Sequence, residues 1–261
     1  MKHPALIINA DDFGRDTLTN RAVLEAFRNG LCSSATLMPN MPGFEEACEL
    51  VHENRLTAHI GAHLVLRDGA PLTDGIRYYP RFCSNQGQLC FSRPAYFLPA
   101  FFLSVPEQTA LAQELRAQIA RCRQQRIPLT HVDSHYHTHT EWAVASVLLP
   151  ILKEEKIPYM RISRNCGPHM GLHRRMYKRL MNGRFKRAGV DRTRYFGSIN
   201  DYVYRKMHSN KAAESFEVMV HPRYDRDDRL IDDPNADLLE DRIRRIESYR
   251  TAVSFSGVHR Q

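Results

Sequence analysis

No stretch of this 261-residue chain approaches the roughly 18 consecutive apolar residues of a membrane-spanning helix, so no span is expected. The apolar run Ala5 to Ile8 is too short for the core of a secretion signal, and Asp11 and Asp12 follow almost at once. A cytoplasmic protein is the expectation. The six cysteines (Cys32, Cys48, Cys83, Cys90, Cys122 and Cys166) contain no CxxC pair. With no secretion signal expected, free buried thiols are favoured over disulfides or a cysteine-zinc site. No internal repeat and no second composition regime divides the chain, so residues 1–261 are read as a single domain. Proline and glycine are at ordinary levels, which excludes a disordered class. There is no zinc-finger pattern and no basic run interleaved with aromatics, so nucleic acid is not an expected partner.

What is present fits one α/β barrel. The length suits that architecture and can bury a large core. Hydrophobic residues make up 43% and charged residues 25%, a soluble globular balance. The formal charge is +8, and part of the excess is local. Between Arg174 and Arg194 nine lysines and arginines accompany one acid, Asp191. Such a run is either a solvated helix face or an attractor of an anionic substrate or surface.

Strand and helix patterns alternate along most of the chain, which argues for parallel α/β architecture. Ala5–Ala10 reads as a buried strand ending in acids, and Asp16–Leu31 as a helix capped by Thr17 or Thr19. Strands are expected at Ser34–Met38, Ala58–Leu66, Leu129–Val132, Pro158–Ser163, Tyr195–Ser198 and Phe216–Val220. Helices are expected at Phe44–Glu53, Pro106–Arg126, Trp142–Lys156, Leu172–Ala188 and Asp237–Tyr249. Residues 67–106 form a long irregular stretch with five prolines and many aromatics, among them Tyr78, Phe82, Phe91, Tyr96, Phe97 and Phe101. A loop of that length inside a barrel is usually functional. Its aromatics either pack the loop or stack on sugar faces.

In such barrels the chemistry sits at the C-terminal ends of the strands. Asp11 and Asp12 end the first strand, and His63 lies on the third. His131 leads into Asp133, His135, His137 and His139, while Arg161 and His221 end two later strands. A lone strand histidine is most often a satisfied core residue, but four in nine positions point to a metal or acid–base site. Two imidazoles and a carboxylate leave open positions on a divalent ion, which lowers the pKa of water and polarises a carbonyl. A second carboxylate can then take the water's proton, and a separate histidine can protonate the leaving group. That is hydrolase chemistry for an amide or ester. Adjacent residues on a regular strand face opposite sides, so Asp11 and Asp12 are expected to do different jobs.

Four segments carry a family resemblance: Asn9-Ala10-Asp11-Asp12-Phe13-Gly14, Gly61-Ala62-His63-Leu64, Thr130 to His139, and Glu217-Val218-Met219-Val220-His221-Pro222. Together they resemble the YdjC-like carbohydrate deacetylases, a family that includes the chitooligosaccharide deacetylases. The resemblance implies a distorted (β/α) barrel of about seven strands, of the glycoside hydrolase/deacetylase type. It implies one divalent metal held by Asp12, His63 and His135. Magnesium is the ion the family implies, whereas two imidazoles suit zinc better. It also implies Asp11 as general base, His221 as general acid and Arg161 orienting Asp11. His131, Asp133, His137 and His139 would stand behind the ligands or contact substrate. The expected reaction is removal of N-acetyl groups from chito-oligosaccharide-type sugars, phosphorylated ones included in view of the basic segment. A metal-dependent phosphoesterase and a non-catalytic sugar-binding protein are the alternatives, and a homodimer is an open expectation.

Overall fold

Every residue of strand β1 (Leu6–Phe13) is buried, and its two faces differ in chemistry. Leu6, Ile8 and Ala10 join the main apolar core, whereas Ile7 packs with Tyr159 and Phe255 in a separate small cluster. Between them in sequence stands buried Asn9. This alternation recurs: His131 and Asp133 flank core residue Val132, and Tyr159 and Arg161 flank core residue Met160. Successive strand residues face opposite sides. One face therefore presents apolar side chains to covering helices, and the other collects polar and charged groups inside the barrel.

The computed structural model describes residues 5–91, 102–168, 171–208, 214–233, 236–246 and 249–258. The remaining strands of the main sheet are β2 (Ser34–Leu37), β3 (Ile60–Leu64), β4 (His131–Ser134), β5 (Tyr159–Met160), β6 (Tyr195–Gly197) and β7 (Phe216–Val220). These seven strands are parallel, in the order β5-β4-β3-β2-β1-β7-β6, and form a curled, incomplete barrel. The seam lies between β5 and β6. Among the described residues one β-bridge crosses it, in which Met160 N donates to Asp191 O (3.1 Å) and Asp191 N donates to Pro158 O (3.0 Å), and beyond it Asn165 N donates to Phe196 O (3.4 Å).

Helices α1 (Thr17–Arg28), α2 (Phe44–Glu53), α3 (Val105–Gln124), α4 (Trp142–Glu154), α5 (Leu172–Arg187) and α6 (Ile199–His208) follow the strands. Helix α1 is capped by Asp16, whose carboxylate accepts from Thr19 N at 2.8 Å. The cap is therefore Asp16, one residue before the expected Thr17, because its carboxylate reaches the free amide of Thr19. Helix α3 begins with a capping box between Ser104 and Glu107, with Pro106 in the first turn.

One reading needs correction, and helix α6 lies where no element is assigned from the sequence. The expected helix over Asp237–Tyr249 is instead strand β10 (Asp237–Leu238) followed by the short α7 (Leu239–Arg244). The strand pairs with β9 (Leu230–Asp232), which pairs with β8 (Pro222–Tyr224), giving a separate antiparallel ribbon. A terminal turn, α8 (Phe255–Val258), inserts Phe255 against the His131 ring at a 3.8 Å centroid distance, closing the barrel floor.

The long loop packs partly on itself. Phe82 and Phe91 are buried and stacked at 5.7 Å, and Cys83 bridges to Leu89. Tyr78 is 82% exposed. Tyr96, Phe97 and Phe101 lie outside the described residues. The six cysteines are free; five are buried, as expected, and Cys90 is partly exposed. No helix among the described residues is long and apolar enough to cross a membrane.

Candidate active site

Asp11 and Asp12 would diverge on a regular strand, yet both serve one site. The pairing register with β2 slips between Ala10 and Phe13, and Asp12 has a positive φ of 66°. A bulge of this kind re-aims one side chain. Left-handed backbone at a non-glycine residue is strained but more tolerable at Asp than at most residues. Asp11 keeps the inward direction and Asp12 turns toward the rim.

At the centre lies Arg161, which is 0% exposed. Its guanidinium grips Asp11 bidentately at 2.6 and 2.7 Å, reaches Asp133 Oδ2 at 2.6 Å, and donates through Nε to Glu217 Oε1 at 2.6 Å. Its flat face lies 4.7 Å from the Phe196 ring centroid. One buried cation thus holds three buried carboxyl groups. Burial opposes the ionised form of Asp11, but Arg161 outweighs it and keeps this carboxyl below the usual carboxylate range. Burial dominates at Glu217, pushing it up to about 7, and its Oε2 has no hydrogen-bond partner.

Above Arg161, Asp12, His63 and His135 converge. Asp12 Oδ1 stands 3.3 Å from His63 Nε2 and 3.0 Å from His135 Nδ1, and it accepts no hydrogen bond although buried. The other oxygen, Oδ2, accepts from Arg223 Nη2 at 2.9 Å. A buried carboxylate oxygen with no donor, facing two imidazole nitrogens, is a group of atoms that could hold a cation. Ligands about 2.1 Å from one ion lie roughly 3.0–3.4 Å apart when neighbouring, which matches these separations. His63 is oriented from behind, with its Nδ1 2.7 Å from Asp133 Oδ1. That bond fixes a proton on Nδ1, so Nε2 is the nitrogen that would be free for an ion, as in a carboxylate–histidine–metal arrangement. Burial disfavours a charged His63, but Asp133 and Asp12 hold it up at about 10 when no ion shares the site. Asp11, His63 and Asp133 form a second cluster of suitable atoms. Arg161 already neutralises both of its carboxylates, so a cation there would meet a guanidinium.

His221, at the end of β7, is 29% exposed through its side chain, and its Nε2 lies 3.8 Å from Asp11 Oδ2. Its backbone amide donates to Asp232 Oδ1 in the antiparallel ribbon, which fixes the loop carrying it. Of the remaining expected residues, His131, Asp133 and His139 are buried and His137 is partly exposed. His131 shares its ring nitrogens with Thr130 Oγ1 (2.8 Å) and Asn9 Oδ1 (3.1 Å). His139 meets Ser134 Oγ at 2.6 Å and the Arg161 carbonyl at 3.1 Å. His137 packs against Phe196, leaves Nδ1 without a hydrogen-bond partner, and is pushed down to about 3 by burial and Arg161. Burial and Arg161 likewise hold His131 low, and burial, His137 and Arg161 do the same for His139, so all three rings are neutral.

The sequence reading missed Asn9, Glu217, Arg223 and Gly61. Glu217 and Gly61 lie inside motifs already singled out, and the period-2 rule places Glu217 on the inward face with Ile7, its β1 partner. A Cβ at Gly61 would come within 2.6 Å of the His131 ring, so this glycine makes room for that histidine. Arg223 follows His221 by two residues, but nothing local pairs it with Asp12.

With this geometry in view, the chain can be compared with known proteins. The family described as YdjC-like protein matches residues 5–254. A carbohydrate deacetylase of Brevibacillus brevis is 39% identical over 59% of this chain and 57% of its own length. The chain thus spans little more than half of that relative. A carbohydrate deacetylase of Halalkalibacterium halodurans is 30% identical over 84% of the chain and 85% of its own length. A chitooligosaccharide deacetylase of Yersinia enterocolitica is 29% identical over 84% and 81%. Among solved structures, a proposed cellobiose-phosphate cleavage protein of Enterococcus faecalis superposes with a TM-score of 0.71 at 20% identity, covering 98% of this chain and 99% of that one. The incomplete barrel is therefore a fold shared with that protein, and by its sequence the chain belongs to the YdjC-like family.

Proposed function

We propose that the protein is a metal-dependent carbohydrate deacetylase that releases acetate from N-acetylated, chito-oligosaccharide-type sugars. The observation that carries this reading is the triad at the rim: Asp12 Oδ1 without a donor, between His63 Nε2 and His135 Nδ1. The names of the relatives supply the substrate class. A divalent ion held by these three residues would polarise the acetyl carbonyl and acidify nearby water. Magnesium follows from the family, while the two imidazoles favour zinc; metal analysis of the purified protein separates them.

The chain's own residues divide the proton work. Asp11, kept ionised and in place by Arg161, is the carboxylate that would take the proton of a metal-acidified water. His221 Nε2, on the same side as Asp11 Oδ2, delivers a proton to the departing sugar amine. Asp133 holds the His63 tautomer, and Arg161 holds Asp11 in place. His131 and His139 brace this layer. A phosphoesterase with two ions about 4 Å apart would need a second free ligand set. The only other cluster found among the described residues is locked by Arg161.

The direct test is acetate release from N-acetylglucosamine oligomers, with and without a chelator. Metal-dependent release is expected; no release from any acetylated sugar by the metal-loaded protein would end the proposal. His221→Ala is expected to lower kcat about 100-fold or more while metal content stays at the wild-type level. Asp133→Asn should weaken metal affinity about 10–100-fold through loss of His63 orientation, read by competition with a chromogenic chelator. Wild-type affinity in that variant would separate His63 from the metal.

A further inference from the structure

A second concavity lies on the outer side of the barrel wall, at the seam between β5 and β6. It is a cavity of about 860 Å³ bounded by α5, α6 and the segments on either side of the seam. That volume is within the range of small-molecule sites. Eight lysines and arginines line it with a single acid, Asp191. Three of these cations have carboxylate partners: Arg164 with Asp201, and Arg194 and Arg205 with Glu214. For Arg175, Lys178, Arg179 and Lys186 no ion pair is found among the described residues.

These four share one face of α5 at spacings of three, one and seven residues. A solvated basic helix would splay its charges into water. Here they converge on a concave surface with Arg164 and Arg205 on the facing wall, an arrangement that focuses positive potential. Lys178 lies at the inner edge of this row. It is half-buried, and burial together with Arg164 pulls it down to about 8. From Arg175 to Lys186 the row extends about 16 Å along the helix, too far for one tetrahedral anion to reach. The groove is also separate from the cluster of Asp12, His63 and His135. Arg161 points inward to Asp11, whereas its neighbour Ile162 lines the groove on the opposite face of the wall.

We propose that this groove is a binding site for an elongated small polyanion carrying two or more phosphate-type groups. The proposal does not depend on the deacetylase reading. The test is calorimetric titration of the full chain with sodium tripolyphosphate at low salt. Wild type is compared with the double variant Arg175→Glu/Arg179→Glu, whose two positions are exposed and tolerate the change. Arg187→Glu, on α5 but outside the groove, serves as the charge control. Thermal unfolding confirms that each variant is folded. The expected result is one saturable site, weakened at least about tenfold by the double variant and changed less than about twofold by the control. Equal binding by wild type and the double variant overturns the site and includes the case of tripolyphosphate captured by a metal in the barrel mouth. Equal loss in the control reduces the effect to net charge and also overturns it. So does a single-stranded 20-nucleotide DNA that binds far more tightly than tripolyphosphate, since the surface would then fit a polymer.

Discussion

Arg161→Met should destabilise the protein by about 3–5 kcal/mol, the range seen when one partner of a buried charge cluster is removed. For a chain of this size that corresponds to a fall in Tm of about 6–20 °C. The methionine fills much of the volume, so the loss is electrostatic. Asp11, Asp133 and Glu217 would remain buried without the guanidinium that now contacts all three. The pH dependence should invert as well. In the wild type, Asp11 titrates below its ordinary range, so its contribution is present at neutral pH and is lost only as strong acid protonates it. In the variant, desolvation without a counter-charge raises these carboxyls. Their folded form then favours protonation, and stability falls as pH rises through the new values. Thermal unfolding at pH 5 and pH 8 reads this directly. A variant as stable as wild type at pH 8 would show that Arg161 does not hold the site together.

The second large effect is on turnover. Asp11→Asn should lower kcat about 100- to 10,000-fold, the span attributed to a positioned proton acceptor. The amide keeps one oxygen for Arg161 but cannot take a proton from water. Metal content should be unchanged, because the proposed ligand set of Asp12 Oδ1, His63 and His135 does not include Asp11. Unchanged turnover would remove Asp11 as base. Lost metal would instead move Asp11 into the ligand set, alongside His63 and Asp133.

These expectations rest on residues that were largely visible in the sequence, for a physical reason. Parallel strands in a barrel end at one rim, so acids and histidines that close hydrophobic runs converge whatever their separation in the chain. That logic picks out Asp12, His63, His135, Arg161 and His221 without coordinates. It fails where the backbone departs from period 2. The slipped register at Ala10–Phe13 cannot be read from Asp11-Asp12, yet it decides how two adjacent carboxylates share one site. It also fails for partners that are neither motif nor neighbour. Arg223 reaches Asp12 because the antiparallel ribbon follows β7, and the sequence after Pro222 carries no strong strand pattern. The segment Asp237–Tyr249 reads as a helix because Leu239–Arg244 form one; its first two residues, Asp237 and Leu238, are taken by pairing with β9. Glu217 was within reach, since strand alternation alone turns it inward.

The barrel's seam bears on where the site is mechanically anchored. The residue that grips three carboxyl groups follows β5, a strand of two residues that neighbours only β4 in the sheet. Backbone pairing there is the sparsest in the barrel wall, so the side-chain clamp does the job that a longer strand would otherwise do. Charge and shape are consequently hard to change independently. Any replacement that loosens the clamp also frees the wall that separates the interior from the basic groove behind it.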